Sequence, residues 1–209
     1  MKKRITQVTA ALLIVSSSVC MFGCKREKVV YRDDVEEEKG PVITRKAVSD
    51  AAKKLEAVEC GYDELEEKIK NMERGSYFLT ASGDEAQKFY DDRFNVGITP
   101  EYDVSELTLI YSNTRIDGDS ALTNIWYICF DDEDDAEGLR DFMFEHSSLS
   151  DEVRAQDDIT YKIWTSDNGF DGVYQEGDKV LVIKAVTTGE WNFASEFCGS
   201  LGIDVPVEE

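Results

Sequence analysis

The chain has 209 residues, of which 42% are hydrophobic and 11% aromatic, so it is long enough for one packed domain with a leader and a tether. Its formal net charge is −21, from 44 acidic and 23 basic residues. Such a surface repels nucleic acid phosphates, so DNA and RNA are excluded as expected partners. The charge serves most simply to keep an exposed domain soluble, and a cationic partner, a metal ion or a neutral ligand stays open.

The N-terminus has the layout of a secretory signal. Three basic residues at positions 2–4 precede an apolar stretch that runs to Phe22, and Gly23 then precedes Cys24. Removal of residues 1–23 leaves 20 basic against 44 acidic residues, a net charge of −24. We expect the remainder of the chain to lie outside the cytoplasm, because the positive end of such a segment stays inside.

A small residue directly before a cysteine resembles the lipobox of bacterial lipoproteins, although Met21 stands where that family favours leucine. The resemblance covers only the leader. It implies that the Cys24 thiol carries diacylglycerol, that Cys24 becomes the new N-terminus, and that the membrane is a partner through this anchor. Two alternatives stay open. In the first, Cys20 carries the lipid, although the residue before it, Val19, is β-branched rather than small. In the second, the leader stays uncleaved as a transmembrane anchor, because its stretch of about 18 mostly apolar residues is just long enough to span a bilayer.

Residues 24–47 are predicted to form a charged, solvated tether, with an acidic run at 33–38. A helical period follows over 48–72, with Ser49 as a candidate N-cap. Gly61 interrupts the pattern, and whether it splits the stripe into two helices stays open at this point. We expect this apolar stripe to dock on the domain's own sheet rather than to form a coiled-coil seam. Its members are Val48, Ala51, Leu55, Val58, Tyr62, Leu65, Ile69 and Met72.

The rest of the chain alternates strands and helices. Strands are predicted at 75–81, 106–116, 121–130, 159–164, 170–175 and 179–186. Helices are predicted after a Ser82–Glu85 capping box, over 131–146, and from a Thr188 cap to Gly202. A hairpin followed by a helix thus occurs twice. The predicted fold is α+β: an N-terminal amphipathic helix, then an antiparallel sheet with helices mainly on one face, in a single domain over 48–205.

No catalytic residue is predicted. His146 is the single histidine, so any Ser-His-Asp or Cys-His arrangement would need it, yet it ends a predicted helix, where a cation complements the helix dipole. The chain has no HExxH, GxSxG, Walker or GxGxxG motif, and zinc would need clustered cysteine and histidine. No cofactor is therefore expected.

Three cysteines remain in the domain: Cys60, Cys129 and Cys198. The first and third fall in predicted helices and the second in a strand. An odd number leaves at least one free thiol, and burial as small apolar side chains is favoured over disulfides. A Cys129–Cys198 bridge is the one pairing to check.

Two acidic segments raise the question of calcium. The run 131–135 lacks the glycine of an EF-hand loop, and its carboxylates suit a helix N-terminus. The segment 167–172, with Asp178 at the twelfth place, has Gly169 where a ligand is needed, so turns between strands explain it better. No metal site is predicted.

Three hypotheses about function follow. The favoured one is a binding or interaction module at the cell envelope, with an unknown ligand and an envelope protein as a candidate partner. The second is an enzyme with a carboxylate or Ser/Lys mechanism, which needs a deep pocket around a desolvated acid. The third is an assembly partner that docks through the 48–72 helix. The tryptophans Trp126, Trp164 and Trp191 are interpreted as core residues rather than a sugar or peptide site.

Overall fold

The computed structural model describes residues 40–41, 43–94, 101–116, 119–146, 152–166, 169–187 and 192–203. These residues form an α+β fold, as predicted. The helices are α1 (Arg45–Lys54), α2 (Tyr62–Lys70), α3 (Asp84–Phe89), α4 (Glu133–His146) and α5 (Asn192–Leu201), with a π-helical turn, Tyr90–Phe94, after α3. The strands are β1 (Val58–Glu59), β2 (Gly75–Ser82), β3 (Val104–Ile116), β4 (Asp119–Phe130), β5 (Arg154–Gln156), β6 (Ile159–Ser166), β7 (Gly169–Glu176) and β8 (Lys179–Thr187).

One eight-stranded sheet contains all the described strands, in the order β1-β2-β3-β4-β8-β7-β6-β5. Every neighbouring pair is antiparallel except β1 and β2. The central pair, β4 and β8, joins the N-terminal and C-terminal halves of the chain. Both strands are apolar on their two faces, as the sequence predicted for central strands.

Helices cover both faces of this sheet. On one face, α1 and α5 bury a core that contains Val48, Ile125, Ile183 and Phe197. On the other face, α2, α3 and α4 bury a second core; its members include Leu65, Phe89, Leu109, Leu139 and Val182. Most of the described helices, α2, α3 and α4, therefore lie on one face, as predicted, while α1 and α5 cover the other. Alternate residues of β4 and β8 are apolar in both directions, so each face needs its own cover.

The helical stripe predicted over 48–72, for which the sequence leaves a split at Gly61 open, forms two helices that pack on opposite faces. Helix α1 ends at Lys54, strand β1 follows, and α2 begins after Gly61. Val48 is buried in the first core and Leu65 in the second, while Val58, in β1 between them, is 57% exposed. Docking on the chain's own sheet is confirmed. A single docking stripe for a partner is not present, because each half is already buried.

The packed domain begins earlier than the predicted boundary at 48. Helix α1 starts at Arg45, and its N-cap is Thr44, whose hydroxyl accepts a hydrogen bond from the Ala47 N–H; Ser49 lies inside the helix. Ile43 is fully buried, and its N–H donates to a Glu176 carboxylate oxygen at 3.1 Å. These contacts remove residues 43–47 from the tether.

Other helix ends also differ from the sequence prediction. Ser82 does not cap α3: it is the last residue of β2, and Gly83, with φ 59°, forms the cap without a side-chain hydrogen bond. Asp132 caps α4, because its carboxylate accepts from the Asp135 N–H at 3.0 Å. Gly202, with φ 70°, ends α5 as predicted. The predicted turn at 117–118 and cap at Thr188 lie outside the described residues.

Candidate functional site

A row of side chains crosses the sheet on the face that carries α2, α3 and α4. Strand register places Trp164 of β6 beside Asp171 of β7, Asp171 beside Lys184 of β8, and Lys184 beside Asn124 of β4. We call these four residues the Trp164 row. On β7 and β8 the buried core ends one row earlier, at Val173 and Val182. The four side chains therefore form a surface at the margin of the core.

Exposure differs along the row in a way that suits a binding surface. The Trp164 side chain is 38% exposed and Lys184 is exposed, whereas Asp171 and Asn124 are half-buried. Val186, two residues beyond Lys184 on the same strand, is 62% exposed. Trp164 and Val186 therefore give this surface exposed apolar area that a bound ligand can cover.

Asp171 is the most unusual member of the row. Within the described part of the chain, its carboxylate has no hydrogen bond or ion pair, although it is half-buried. Burial raises the pKa of Asp171, and the positive charge of Lys184 opposes that shift. A partly desolvated carboxylate without a partner is costly in a purely structural role, and such groups cluster at functional sites.

Backbone pairing holds the row rigid. The strands β4, β8, β7 and β6 pair continuously through the positions of the row. Past Asn124, the register continues to Tyr111 of β3, which is 2% exposed. The Tyr111 hydroxyl has no geometrically sound hydrogen bond among the described residues; burial raises its pKa and the nearby Asn113 amide opposes the shift.

The Asp171 carboxylate is expected to destabilise the fold at neutral pH. Because its pKa is raised in the folded state, the folded protein binds the proton more tightly than the unfolded chain, and stability falls as pH rises from the unfolded pKa through the folded one. We therefore expect Asp171→Asn to raise the Tm at pH 7 slightly, with the gain disappearing near pH 3. Thermal unfolding at both values tests this, with Asp158→Asn in an exposed turn as the control. A lower Tm for Asp171→Asn at pH 7 contradicts it.

Among the described residues, two cavities lie on the α1 side of the molecule. One, of about 410 Å³, is lined by Arg45, Lys46, Ser49, Lys53, Glu59, Thr80 and Glu106. Its charges are already matched, since Arg45 pairs with Glu106 at 3.2 Å and Lys53 with Glu59 at 3.4 Å. The other, of about 400 Å³, is a groove between the start of α1 and the end of α5. Neither holds an unpaired desolvated acid of the kind an active site would need.

The histidine and the cysteines occupy structural positions. His146 ends α4, stacks on Phe142 at 4.3 Å between ring centroids, and its Nδ1 lies 2.9 Å from the Phe142 carbonyl oxygen. Cys129 and Cys198 are buried and free, so the bridge between them is not formed, and burial raises the pKa of Cys198 to about 12. Cys60 lies between β1 and α2 rather than inside a helix.

Within the residues that the structure describes, neither acidic segment has the conformation of a calcium-binding loop. Residues 169–176 are strand β7, so the second candidate segment is largely extended, and its residues 167–168 lie outside the described residues. In the described ranges no three His, Cys, Asp or Glu side chains are grouped to hold a metal ion.

The three tryptophans differ in their surroundings. Trp126 packs in the core against Phe89 and Phe94, as predicted, with its ring 5.2 Å from that of Phe94. Trp164 is not a core residue, because it lies on β6 beyond the end of the core. Trp191 lies outside the described residues, as does the lipidation candidate Cys24. Among the helices that the structure describes, none is long and apolar enough to cross a bilayer.

Comparison with known proteins gives a weak structural similarity. No family model matches the chain, and no curated protein matches it. Among solved structures, the extracellular domain of PknH from Mycobacterium tuberculosis is similar over 78% of this chain and 95% of that one, with 10% sequence identity and a TM-score of 0.33. Similarity at that level carries no argument about function, so the function has to be inferred from the site itself.

Proposed function

We propose that this chain is a lipid-anchored binding module on the extracytoplasmic face of a bacterial membrane, and that the Trp164 row is its ligand surface. The observation that carries the binding role is a half-buried carboxylate, Asp171, that has no hydrogen bond or ion pair to any described residue and lies beside an exposed indole on the paired strands of the sheet. The address rests on the basic start, apolar stretch and Gly23-Cys24 pair of the leader.

An enzymatic role has less support. It needs a desolvated acid inside a deep pocket, where water is excluded and a substrate is held. Asp171 is partly desolvated, but it lines neither of the cavities found among the described residues, which are lined by α1 and its neighbours. Binding requires only complementary groups on a surface, and the row supplies these.

The anchor is tested by replacing the acylated cysteine. In membranes from cells that express the full chain, we expect a product that lacks residues 1–23 and carries diacylglycerol on Cys24. Cys24→Ala should remove the lipid and shift the protein out of the membrane fraction, because two acyl chains hold firmly and the domain alone does not. Intact-mass analysis of both fractions measures this.

The matched control is Cys20→Ala, which should leave processing, mass increment and membrane retention unchanged. The opposite pattern, with release by Cys20→Ala and retention of Cys24→Ala, would show that Cys20 carries the lipid and would contradict the assignment to Cys24. Recovery of the unprocessed wild-type chain from the cytosol would overturn the proposed address.

A further inference from the structure

We infer that the ligand of the Trp164 row is a neutral carbohydrate, a β-1,4-linked oligosaccharide stacked on Trp164; this inference rests on the proposed function. Four residues carry it: an exposed indole, and a carboxylate, an ammonium and an amide in line with it across four paired strands. With strands about 4.8 Å apart, the row extends over about 14 Å. That length accommodates several linked sugar rings.

Charge in the row favours a neutral ligand. Asp171 and Lys184 occupy paired positions on β7 and β8, so their charges cancel locally. An anion would meet Asp171 and a chain of net charge −21, and a cation would meet Lys184 directly. A ligand without charge avoids both repulsions and uses both side chains as hydrogen-bonding groups.

The polar groups match vicinal hydroxyls. A carboxylate accepts two hydrogen bonds, an amide both donates and accepts, and an ammonium donates, so Asp171, Asn124 and Lys184 together serve hydroxyls of either orientation. Hydrogen bonds to charged groups are shorter and stronger than those between neutral groups. A ligand hydroxyl that donates to Asp171 would also supply a hydrogen bond that no described residue gives to this carboxylate.

The apolar part of the surface matches the face of a sugar ring. A β-1,4-linked chain with equatorial substituents presents its C–H groups as a flat apolar face, which complements a flat indole. Trp164 is 38% exposed, and Val186, at 62%, adds apolar area one row further out. The strands are already paired, so little ordering accompanies binding.

An extended peptide fits this surface less well. Peptides that add to a sheet pair with the free backbone groups of an edge strand. The row crosses the middle of the sheet, where the β7 and β8 residues pair on both sides. Only side chains are offered to the ligand there.

The experiment uses the full-length lipoprotein in detergent micelles, titrated with cellotetraose and chitotetraose by calorimetry. We expect at least one tetrasaccharide to bind, with little dependence on salt because the ligand is neutral. Trp164→Ala and Asp171→Ala should each weaken binding at least tenfold, whereas Trp164→Tyr and Asp171→Asn should retain most of it. The control is Val58→Ala, which should leave affinity unchanged. Val58 is also an exposed apolar residue, but it lies on β1, at the edge of the sheet far from Trp164.

Absence of binding by both tetrasaccharides overturns the carbohydrate inference, and so does binding that Trp164→Ala leaves unchanged. Circular dichroism on each variant separates lost affinity from lost folding. To separate this inference from the proposed function, the same variants are tested for retention of solubilised envelope components. If retention depends on Trp164 but no tetrasaccharide binds, the proposed binding role is supported and the carbohydrate inference is contradicted. If neither assay depends on Trp164, both the binding role and the carbohydrate inference are contradicted.

Discussion

Val48→Ala and Leu65→Ala are expected to destabilise the protein by amounts that add. Val48 is fully buried under α1 on one face of the sheet, and Leu65 is fully buried under α2 on the other. Loss of the two valine methyl groups costs about 2 kcal/mol, and the leucine truncation costs about 2–5 kcal/mol including the cavity it leaves. Urea unfolding of both single variants and the double variant measures the free energies.

Additivity is the informative part of this result. Residues in separate cores have no shared partners, so the interaction energy should lie within about 0.5 kcal/mol of zero. Val58 belongs to the same sequence stripe but is 57% exposed, so Val58→Ala should change stability by less than about 0.5 kcal/mol. A cost for Val58→Ala equal to that for Leu65→Ala, or strong coupling between positions 48 and 65, would favour one continuous helix and contradict the fold.

Gly169→Ala is expected to lower stability by about 1–3 kcal/mol, the usual cost of forcing a group into a packed site. A β-carbon at Gly169 would lie 2.5 Å from the backbone carbonyl oxygen of Ala185, so strands β7 and β8 would have to separate. Because Asp171 lies two residues along β7, the same separation should weaken ligand binding at the row. Thermal unfolding and ligand titration of this variant test both effects.

Gly199→Ala is the matched control. Gly199 lies in α5, and an added β-carbon meets nothing within 4 Å. Alanine in a helix is favoured over glycine by about 0.5–1 kcal/mol, so this change should raise stability. If Gly169→Ala proves as stable as Gly199→Ala, the result contradicts the close contact between β7 and β8 at Gly169.

Much of the fold follows from the sequence, because alternation and turn residues are local signals. Strands β3, β4 and β8 were predicted within a few residues of their observed limits, and the α+β class is correct. The short strand β1 was missed, since its two residues lie inside a helical period and are exposed. Strand β1 lies between α1 and α2, which pack on opposite faces of the sheet, so a prediction that omits β1 also omits the crossing between the faces.

The site was harder to predict than the fold. Alternation along β6 places Trp164 and Lys162 on the same face, but it does not say which strand lies beside them. The grouping of Trp164, Asp171 and Lys184 depends on the order β6-β7-β8 and on register, which are tertiary properties. The Asn-Gly and Asp-Gly pairs near Asp171 also suggested turns, whereas Gly172 lies inside β7.

Reactivity of a cysteine placed in the row tests the central claim most directly. In intact cells that express Lys184→Cys, we predict rapid labelling by a maleimide that does not cross the cytoplasmic membrane, and protection by a saturating ligand. The control, Val182→Cys, lies one row inward and is 1% exposed, so it should label only after unfolding. Labelling of Lys184→Cys only after lysis, or equal rates at both positions, would contradict an exposed extracytoplasmic binding surface.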